Sequence, residues 1–202
     1  MRVYAMVLCL VVGVSTAARA QEPVFGVKAG INYANLKFED NDLADVNFDQ
    51  RIGFAGGIFM VWPGNSQTAL QVEALYSQKG TSLDNEEGKG AIKVDYLDIP
   101  ILARFSTGPA TKASFHVFGG PSIGFKLRAH GTGDFAADGD DDDIGDDVET
   151  MDFGIVAGAG VDFGHLTLDA RETWGLSNIA KDPDDDEKVK TRTFAVMLGI
   201  RF

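Results

Sequence analysis

Eight stretches of the sequence alternate apolar and polar residues, and this period of two constrains the fold more than any other feature. In the sixth stretch, for example, Phe153 and Ile155 alternate with Asp152 and Gly154. Successive side chains of a β-strand point to opposite faces, so each stretch predicts a strand with one apolar face. The predicted strands occupy residues 24–36, 50–62, 68–79, 91–105, 113–128, 151–163, 165–176 and 190–202.

The connections between these strands alternate in length. The long, polar ones are segments 37–49, 81–90, 129–149 and 177–189, and the short ones are 63–67, 106–112 and the corner at Gly164. Short turns at one end and long loops at the other are typical of membrane barrels, and a tilted crossing needs about 9–11 residues. The sequence therefore predicts an all-β fold, an eight-stranded antiparallel up-and-down transmembrane β-barrel. Because proline cannot donate to the ladder, we expect bulges or local bends at Pro100 and Pro121.

The first twenty residues read as an export signal. Arg2 precedes an apolar run over residues 3–14, and Ala18-Arg19-Ala20 supplies a cleavage pattern of small residues. The run is too short for a membrane helix, which takes about 20 residues. We therefore predict a signal peptide over 1–20 and an outer-membrane β-barrel domain over 21–202. Cys9 is the only cysteine, so the exported domain would have neither disulfides nor thiolate chemistry.

The direction of the apolar face separates a membrane barrel from a soluble periplasmic lipid carrier, which would turn that face inward. The opposite face mixes glycine with charges of both signs, which suits a crowded interior. Aromatic residues near the ends of the apolar stripes suit two membrane interfaces; they are Phe25, Tyr33, Trp62, Tyr76, Phe105, Phe163 and Trp174. Both features favour apolar side chains that face lipid. Glu172 falls on this face, where an acid is costly, so we expect it at an interface or beside a bulge.

The polar face predicts a network in the lumen. Its members are Lys28, Glu73, Asp98, Arg104, Asp169, Arg171 and Arg201. An eight-stranded barrel has an interior just wide enough for side chains to fill. A salt-bridged structural plug is therefore favoured over a selective pore.

Acidic residues concentrate in two of the long connections. The net charge is −12, with eight carboxylates between Asp138 and Glu149 and five between Asp182 and Glu187. Nucleic acid is excluded as a partner by this charge. Asp138, Asp140, Asp142 and Glu149 partly match a calcium loop, but Asp143 stands where that loop needs glycine. We expect no cofactor, and either solvated loops or loosely bound divalent cations and surface partners.

Catalytic patterns are weak. Residues 120–124 match G-x-S-x-G, but they lie within a predicted strand rather than at a strand-to-helix turn. The three histidines, His116, His130 and His165, have no local acid or serine partner. We predict that the protein is not an enzyme.

Several strand sequences resemble those of porin-family, PorT-like outer-membrane β-barrels of Gram-negative bacteria. They are VFGVKAGINYANL, LQVEALYSQKG, DYLDIPILARF, HVFGGPSIGFKL, LDARETWGLSNI and FAVMLGIRF, and the resemblance covers roughly residues 24–202. It implies a bacterial outer-membrane location after signal-peptide cleavage and little about activity. The usual aromatic of that family is missing at Glu172. We expect a monomer surrounded by outer-membrane lipid, with a structural or surface-interaction role through acidic extracellular loops. The alternatives are a narrow pore for small solutes or ions, and an outer-membrane lipid hydrolase.

Overall fold

A computed structural model describes residues 22–38, 49–85, 88–108, 113–133, 142–144, 148–177 and 189–202, so the predicted signal peptide lies outside the described residues. Nine strands are present in these ranges. They are β1 (Val24–Phe38), β2 (Asp49–Pro63), β3 (Thr68–Asn85), β4 (Gly88–Ser106), β5 (Ala113–Gly133), β6 (Asp142–Asp143), β7 (Met151–Phe163), β8 (Leu166–Gly175) and β9 (Val189–Arg201). Among these residues, no helix is long and apolar enough to cross a membrane.

Eight of the strands form a closed ring. Each pairs antiparallel with its neighbour in the order β1-β2-β3-β4-β5-β7-β8-β9, and β9 pairs back to β1. The two-residue β6 lies outside the ring and pairs with His130 and Gly131 of β5. This arrangement confirms the predicted antiparallel eight-stranded barrel. The start of β1, the end of β9 and the turns that join β2 to β3 and β7 to β8 lie at one rim, which we call the turn end, and the opposite rim is the loop end.

The apolar face points outward, as the alternation predicts. Ile58 and Phe115 expose 62% and 64% of their surface, whereas Lys28 and Glu73 expose 4% and 1%. In soluble proteins, aliphatic side chains are usually buried and charged ones exposed. The arrangement here is the reverse. The outer surface is therefore suited to lipid rather than to water.

The loop end extends further than the sequence indicates. Segment 81–90 is expected to be a loop, but β3 and β4 remain paired there as far as the Asn85–Gly88 pair. The strand β5 likewise continues to Gly133 instead of ending at residue 128. These residues are polar because they lie outside the apolar belt, yet their backbone groups still pair. A polar sequence therefore indicates that a segment contacts water. It does not indicate that the segment has stopped pairing with its neighbouring strands.

No register shift coincides with Pro100 or Pro121, so neither of the expected bulges is present. On either side of Pro100, β3 and β4 keep one register from Val72↔Ile101 to Leu75↔Asp98, but the two intervening pairs are not bridged. The β4–β5 ladder skips two pairs in the same way where Pro121 faces β4. Each proline therefore removes hydrogen bonds locally without inserting a residue. The register shifts lie elsewhere, at residues 50–55 of β2 and at residues 95–96 of β4.

Glycines make room for two inward aromatic rings. The ring of Phe59 lies over Gly26, and the ring of Phe118 lies over Gly158. A Cβ at residue 158 would lie 2.5 Å from Cζ of Phe118 and 2.6 Å from the carbonyl oxygen of Ala170. The glycines of the polar face therefore let a narrow barrel hold large side chains.

We predict that Gly158→Leu destabilises the barrel by about 1–3 kcal/mol, because the new side chain competes with the Phe118 ring for one space. Urea unfolding of the protein in lipid vesicles, followed by gel mobility, measures this difference. Gly108→Ala is the matched control, since no atom lies within 4 Å of a Cβ at residue 108. Equal urea midpoints for Gly158→Leu and the wild type would contradict this packing.

Candidate functional site in the barrel lumen

Four charged side chains form a network in the middle of the lumen, which we call the central network. Lys28 Nζ on β1 donates to Glu73 Oε1 at 2.8 Å and to Asp169 Oδ2 at 3.0 Å. Arg171 donates to Glu73 Oε2 at 2.5 Å and to Asp169 Oδ1 at 2.8 Å. Two cations and two anions thus alternate around one ring, and all four are buried.

A second group, the turn-end cluster, lies between the central network and the turn end. It consists of Arg104, His116, Asp162 and Arg201. Arg104 donates to Asp162 Oδ2, and Arg201 Nη1 lies 3.5 Å from the same oxygen. Arg104 also donates to the Gln71 amide oxygen at 2.9 Å, and the Gln71 amide donates to Glu73. Gln71 therefore connects this cluster to the central network.

A third group, the loop-end cluster, contains Lys79, Asp98 and Asp152. Lys79 Nζ lies 2.9 Å from Asp98 Oδ1 and 3.8 Å from Asp152 Oδ2. The same ammonium group lies 4.6 Å from the centre of the Tyr96 ring. Asp152 accepts a further hydrogen bond of 2.7 Å from the Thr191 hydroxyl. A cation–π contact and a hydroxyl thus supplement the ion pairs.

The charges of the three groups cancel. The cations are Lys28, Lys79, Arg104, Arg171 and Arg201, and the anions are Glu73, Asp98, Asp152, Asp162 and Asp169. Counted over the lysines, arginines and carboxylates alone, the turn-end cluster carries +1, the central network 0 and the loop-end cluster −1. Buried ions are tolerated when they are paired and hydrogen-bonded. The balance therefore suits a closed interior.

Apolar side chains fill most of the space between the charged groups. Ala55, Leu75, Ala195 and Met197 form one buried cluster, and Leu102, Phe118 and Val156 form another. A cavity of about 30 Å³ remains above the central network, and Ser77, Lys79, Asp98, Ser122 and Arg171 are among its lining residues. One water needs roughly 10–15 Å³ of such volume, so this polar cavity has room for about two.

Two apolar residues of the acidic segment cover the lumen at the loop end. Val148 is buried against Val94, Tyr96 and Ala129, and Ile144 packs against the same group. The Lys126 ammonium group donates to the Val148 carbonyl oxygen. This segment is therefore attached to the mouth of the barrel by its apolar residues.

All seven residues predicted for the lumen lie on inward positions, and each belongs to one of the three groups. The predicted network lacks Lys79, Asp152 and Asp162, although each of them forms an ion pair in the lumen. The last two occupy inward positions of β7, so the alternation could have identified them. Lys79 lies on the same face of the predicted third strand as Glu73 and Ser77, so the alternation could have identified it as well.

The calcium candidate falls largely outside the described structure. Asp138 and Asp140 are not described, and Asp142 is described only as a backbone position of β6. Glu149 is exposed. Among the residues that are described, no group of three or more acids, histidines or cysteines could hold a metal ion. Calcium binding stays a prediction.

The G-x-S-x-G sequence does not form a nucleophile elbow. Ser122 is buried, faces the lumen in the middle of β5, and pairs with Gly154 across the ladder. The elbow requires a sharp turn from a strand into a helix. Ser122 instead lines the small cavity.

Glu172 forms an ion pair on the outer face. Its Oε1 accepts from Arg192 Nε at 2.5 Å, and both side chains are partly exposed. The β7–β8 and β8–β9 ladders run through residue 172 without a register shift, so a bulge does not explain its position. Trp174 and Phe194 lie beside the pair on the same strands. An ion pair among such aromatics suits the interface at the loop end.

Sequence comparison matches a family over most of the chain. The family model of the outer membrane protein beta-barrel domain matches residues 19–181. No curated protein matches the chain.

Solved structures of outer-membrane proteins have a similar fold. Neisserial surface protein A is 13% identical, with a TM-score of 0.51, over 90% of this chain and 100% of that one. Ail, the attachment invasion locus protein of Yersinia pestis, is 16% identical, with a TM-score of 0.50, over 90% and 100%. OprG from Pseudomonas aeruginosa is 10% identical, with a TM-score of 0.50, over 92% and 98%. At these identities the likeness shows the barrel fold alone.

We predict that Glu73→Gln destabilises the barrel by about 3–5 kcal/mol, because Lys28 and Arg171 are then left with only one buried carboxylate between them. Unfolding by urea in vesicles measures the loss. Glu172→Gln is the matched control: its pair is partly exposed and is expected to cost only about 0–1 kcal/mol. Equal losses in the two variants would mean that the central network is no more important than a surface pair.

Proposed function

This chain belongs to the outer membrane protein β-barrel domain family, and from that premise we propose that it acts as a surface-interaction protein through its acidic loop end. Family and fold place it in the bacterial outer membrane. There the turn end faces the periplasm and the loop end faces outward, since outer-membrane barrels have short periplasmic turns. We further infer that the barrel is a monomer, is exported by residues 1–20 and has no resident cofactor. Within the family, the strand sequences favour the porin-family, PorT-like group.

The filled lumen is the observation that carries the proposal. Five cations and five anions neutralise one another there, and apolar clusters occupy the layers between them. A solute would have to break buried ion pairs, and removing one partner of such a pair costs about 3–5 kcal/mol. The barrel is therefore best suited to act as a scaffold whose outer surface makes the contacts.

The loop end supplies the interaction surface. Strands β3, β4 and β5 have 18, 19 and 21 residues, whereas a tilted crossing takes only about 9–11. They therefore project beyond the apolar belt. Ile144 and Val148 pack at this end of the barrel, so we propose that the carboxylates of the acidic segment act there. A positively charged surface or loosely held divalent cations are the partners that such a charge favours.

A narrow pore is the second candidate, and the cavity beside Lys79 and Asp98 favours it. The cavity holds only about two waters, and the central network closes the lumen towards the turn end. Conduction would therefore require the ion pairs to rearrange. We propose no catalytic activity, because Ser122 faces the lumen and His116 contacts Arg104 and Asp162 instead of a serine.

We predict that the folded protein in vesicles binds a polylysine-coated surface and that added salt weakens this binding, because salt screens exposed charges. Replacing Asp140, Asp141, Asp142 and Asp143 together by Asn is expected to lower the affinity by roughly tenfold. The matched variant replaces Asp182, Asp184, Asp185 and Asp186 by Asn and removes the same charge from the other loop. It is expected to have a smaller effect. Unchanged binding in the first variant would contradict a role for the segment attached by Ile144 and Val148.

We predict that the wild-type protein in planar bilayers shows no steady conductance, because the central network closes the lumen. The double variant Glu73→Ala with Arg171→Ala removes opposite charges together and is expected to open measurable current if it folds. Heat-modifiable gel mobility checks the fold of the variant. Steady current through the wild type would favour the pore over the scaffold.

A further inference from the structure

Several buried polar atoms without a protein partner converge near the turn end. Among the described residues they are His116 Nε2, Asp162 Oδ1, Thr167 Oγ1 and Arg201 Nε. Buried polar groups in native proteins almost always have a partner, and ordered water supplies the ones that protein atoms do not. Four such atoms in one place therefore call for an explanation beyond packing.

Asp162 joins these atoms. His116 Nδ1 and Arg201 Nη1 each lie 3.5 Å from Asp162 Oδ2, and Thr167 stands opposite Asp162 in the β7–β8 ladder. The His116 ring covers Gly160, two residues from Asp162 on the same inward face of β7. The unpartnered atoms therefore lie around one carboxyl group, that of Asp162.

The contact with Arg104 determines which nitrogen of His116 carries a proton. Arg104 Nη2 lies 3.0 Å from His116 Nδ1. A guanidinium group can only donate, so we infer that Nδ1 accepts from Arg104 instead of donating to Asp162 Oδ2 at 3.5 Å, and that the proton of the neutral ring is on Nε2. The unpartnered Nε2 is therefore a donor, and so is Arg201 Nε. Asp162 Oδ1 is an acceptor, and the Thr167 hydroxyl can be either.

We propose that the turn end holds a bound-water site and that His116 is a protonation switch for this end of the lumen. Water fits the set of atoms, because it accepts from the two N–H groups and donates to Asp162 Oδ1 and Thr167 Oγ1. A proton gained at Nδ1 would turn that acceptor into a donor facing the Arg104 donor. The contact would then be lost, and the water and Arg104 would rearrange.

The surrounding charges make that rearrangement unfavourable for the plug. Arg104 on β4 and Arg201 on β9 face His116 with only Asp162 on β7 between them. Asp169 on β8 stands opposite Gly160 but is already bound to Lys28 on β1 and to Arg171. Glu73 on β3 is likewise bound to Lys28 and Arg171. A protonated His116 would therefore be a third cation around the single carboxylate of Asp162, which Arg104 and Arg201 already share.

Two of the three histidines give a matched test, because histidine is the side chain that ordinarily changes charge between pH 5 and 8. The measurement is the unfolding temperature of the folded protein in detergent micelles at pH 8 and at pH 5. We expect the wild type to lose about 5 °C at the lower pH. His116→Gln should lose less than half of that, since glutamine can form hydrogen bonds but cannot ionise. His165→Gln is the control and should keep the wild-type loss, since the His165 contact lies on the exposed outer rim. The proposed switch would be overturned if the unfolding temperature of His116→Gln fell as much as that of the wild type, or if that of the wild type did not fall.

Nitrogen-15 NMR of histidine-labelled wild-type protein tests the same site even if His116→Gln fails to fold. At pH 8 we expect one imidazole with its proton on Nε2 and exchange with water slowed by burial. A spectrum in which every neutral ring carries its proton on Nδ1 would overturn the proposed arrangement.

Discussion

The absence of hydrogen-bond partners in lipid is the constraint on which the rest of this structure depends. Each backbone N–H and C=O within the hydrocarbon must pair inside the protein, and a closed barrel achieves this without a free edge. The β1–β9 and β4–β5 ladders complete the ring here. Closure with eight strands then leaves a lumen only wide enough for side chains. The residues that face inward must therefore satisfy one another.

Mutual neutralisation of the inward charges follows from this narrow lumen. Lys28, Glu73, Asp169 and Arg171 share one ring of contacts, and the clusters on either side carry opposite net charge. Ion pairs of this kind contribute little net stability but make the loss of one member costly. These ion pairs therefore keep the inward side chains in one arrangement. A fixed interior leaves the projecting hairpins and the segment attached by Val148 as the parts that meet other molecules.

The sequence predicts the fold well because a period of two specifies both the strand and its face. The strand β7 begins and ends where the alternation does, and Glu73 and Arg171 point inward as predicted. Periodicity does not specify where a residue lies along the barrel axis. It therefore could not predict that Lys28 pairs with Asp169, which is 141 residues away in the sequence. The sequence did not predict that β3 continues to Asn85 or that β4 begins at Gly88, because polar residues indicate contact with water and carry no information about strand pairing. Ile144 and Val148 are isolated apolar residues in an acidic run, and isolated residues have no period.

The central claim is that the apolar row faces lipid while the opposite row fills the lumen, and spin labels along β9 test it most directly. Single cysteines are placed in turn at Phe194, Ala195, Val196, Met197 and Leu198, with Cys9 replaced, and collision with oxygen and with a water-soluble nickel complex is measured in vesicles. Labels at 194, 196 and 198 should meet oxygen but not nickel, and labels at 195 and 197 should meet little of either. Nickel access at 194, 196 and 198, or the lack of any alternation, would contradict the account.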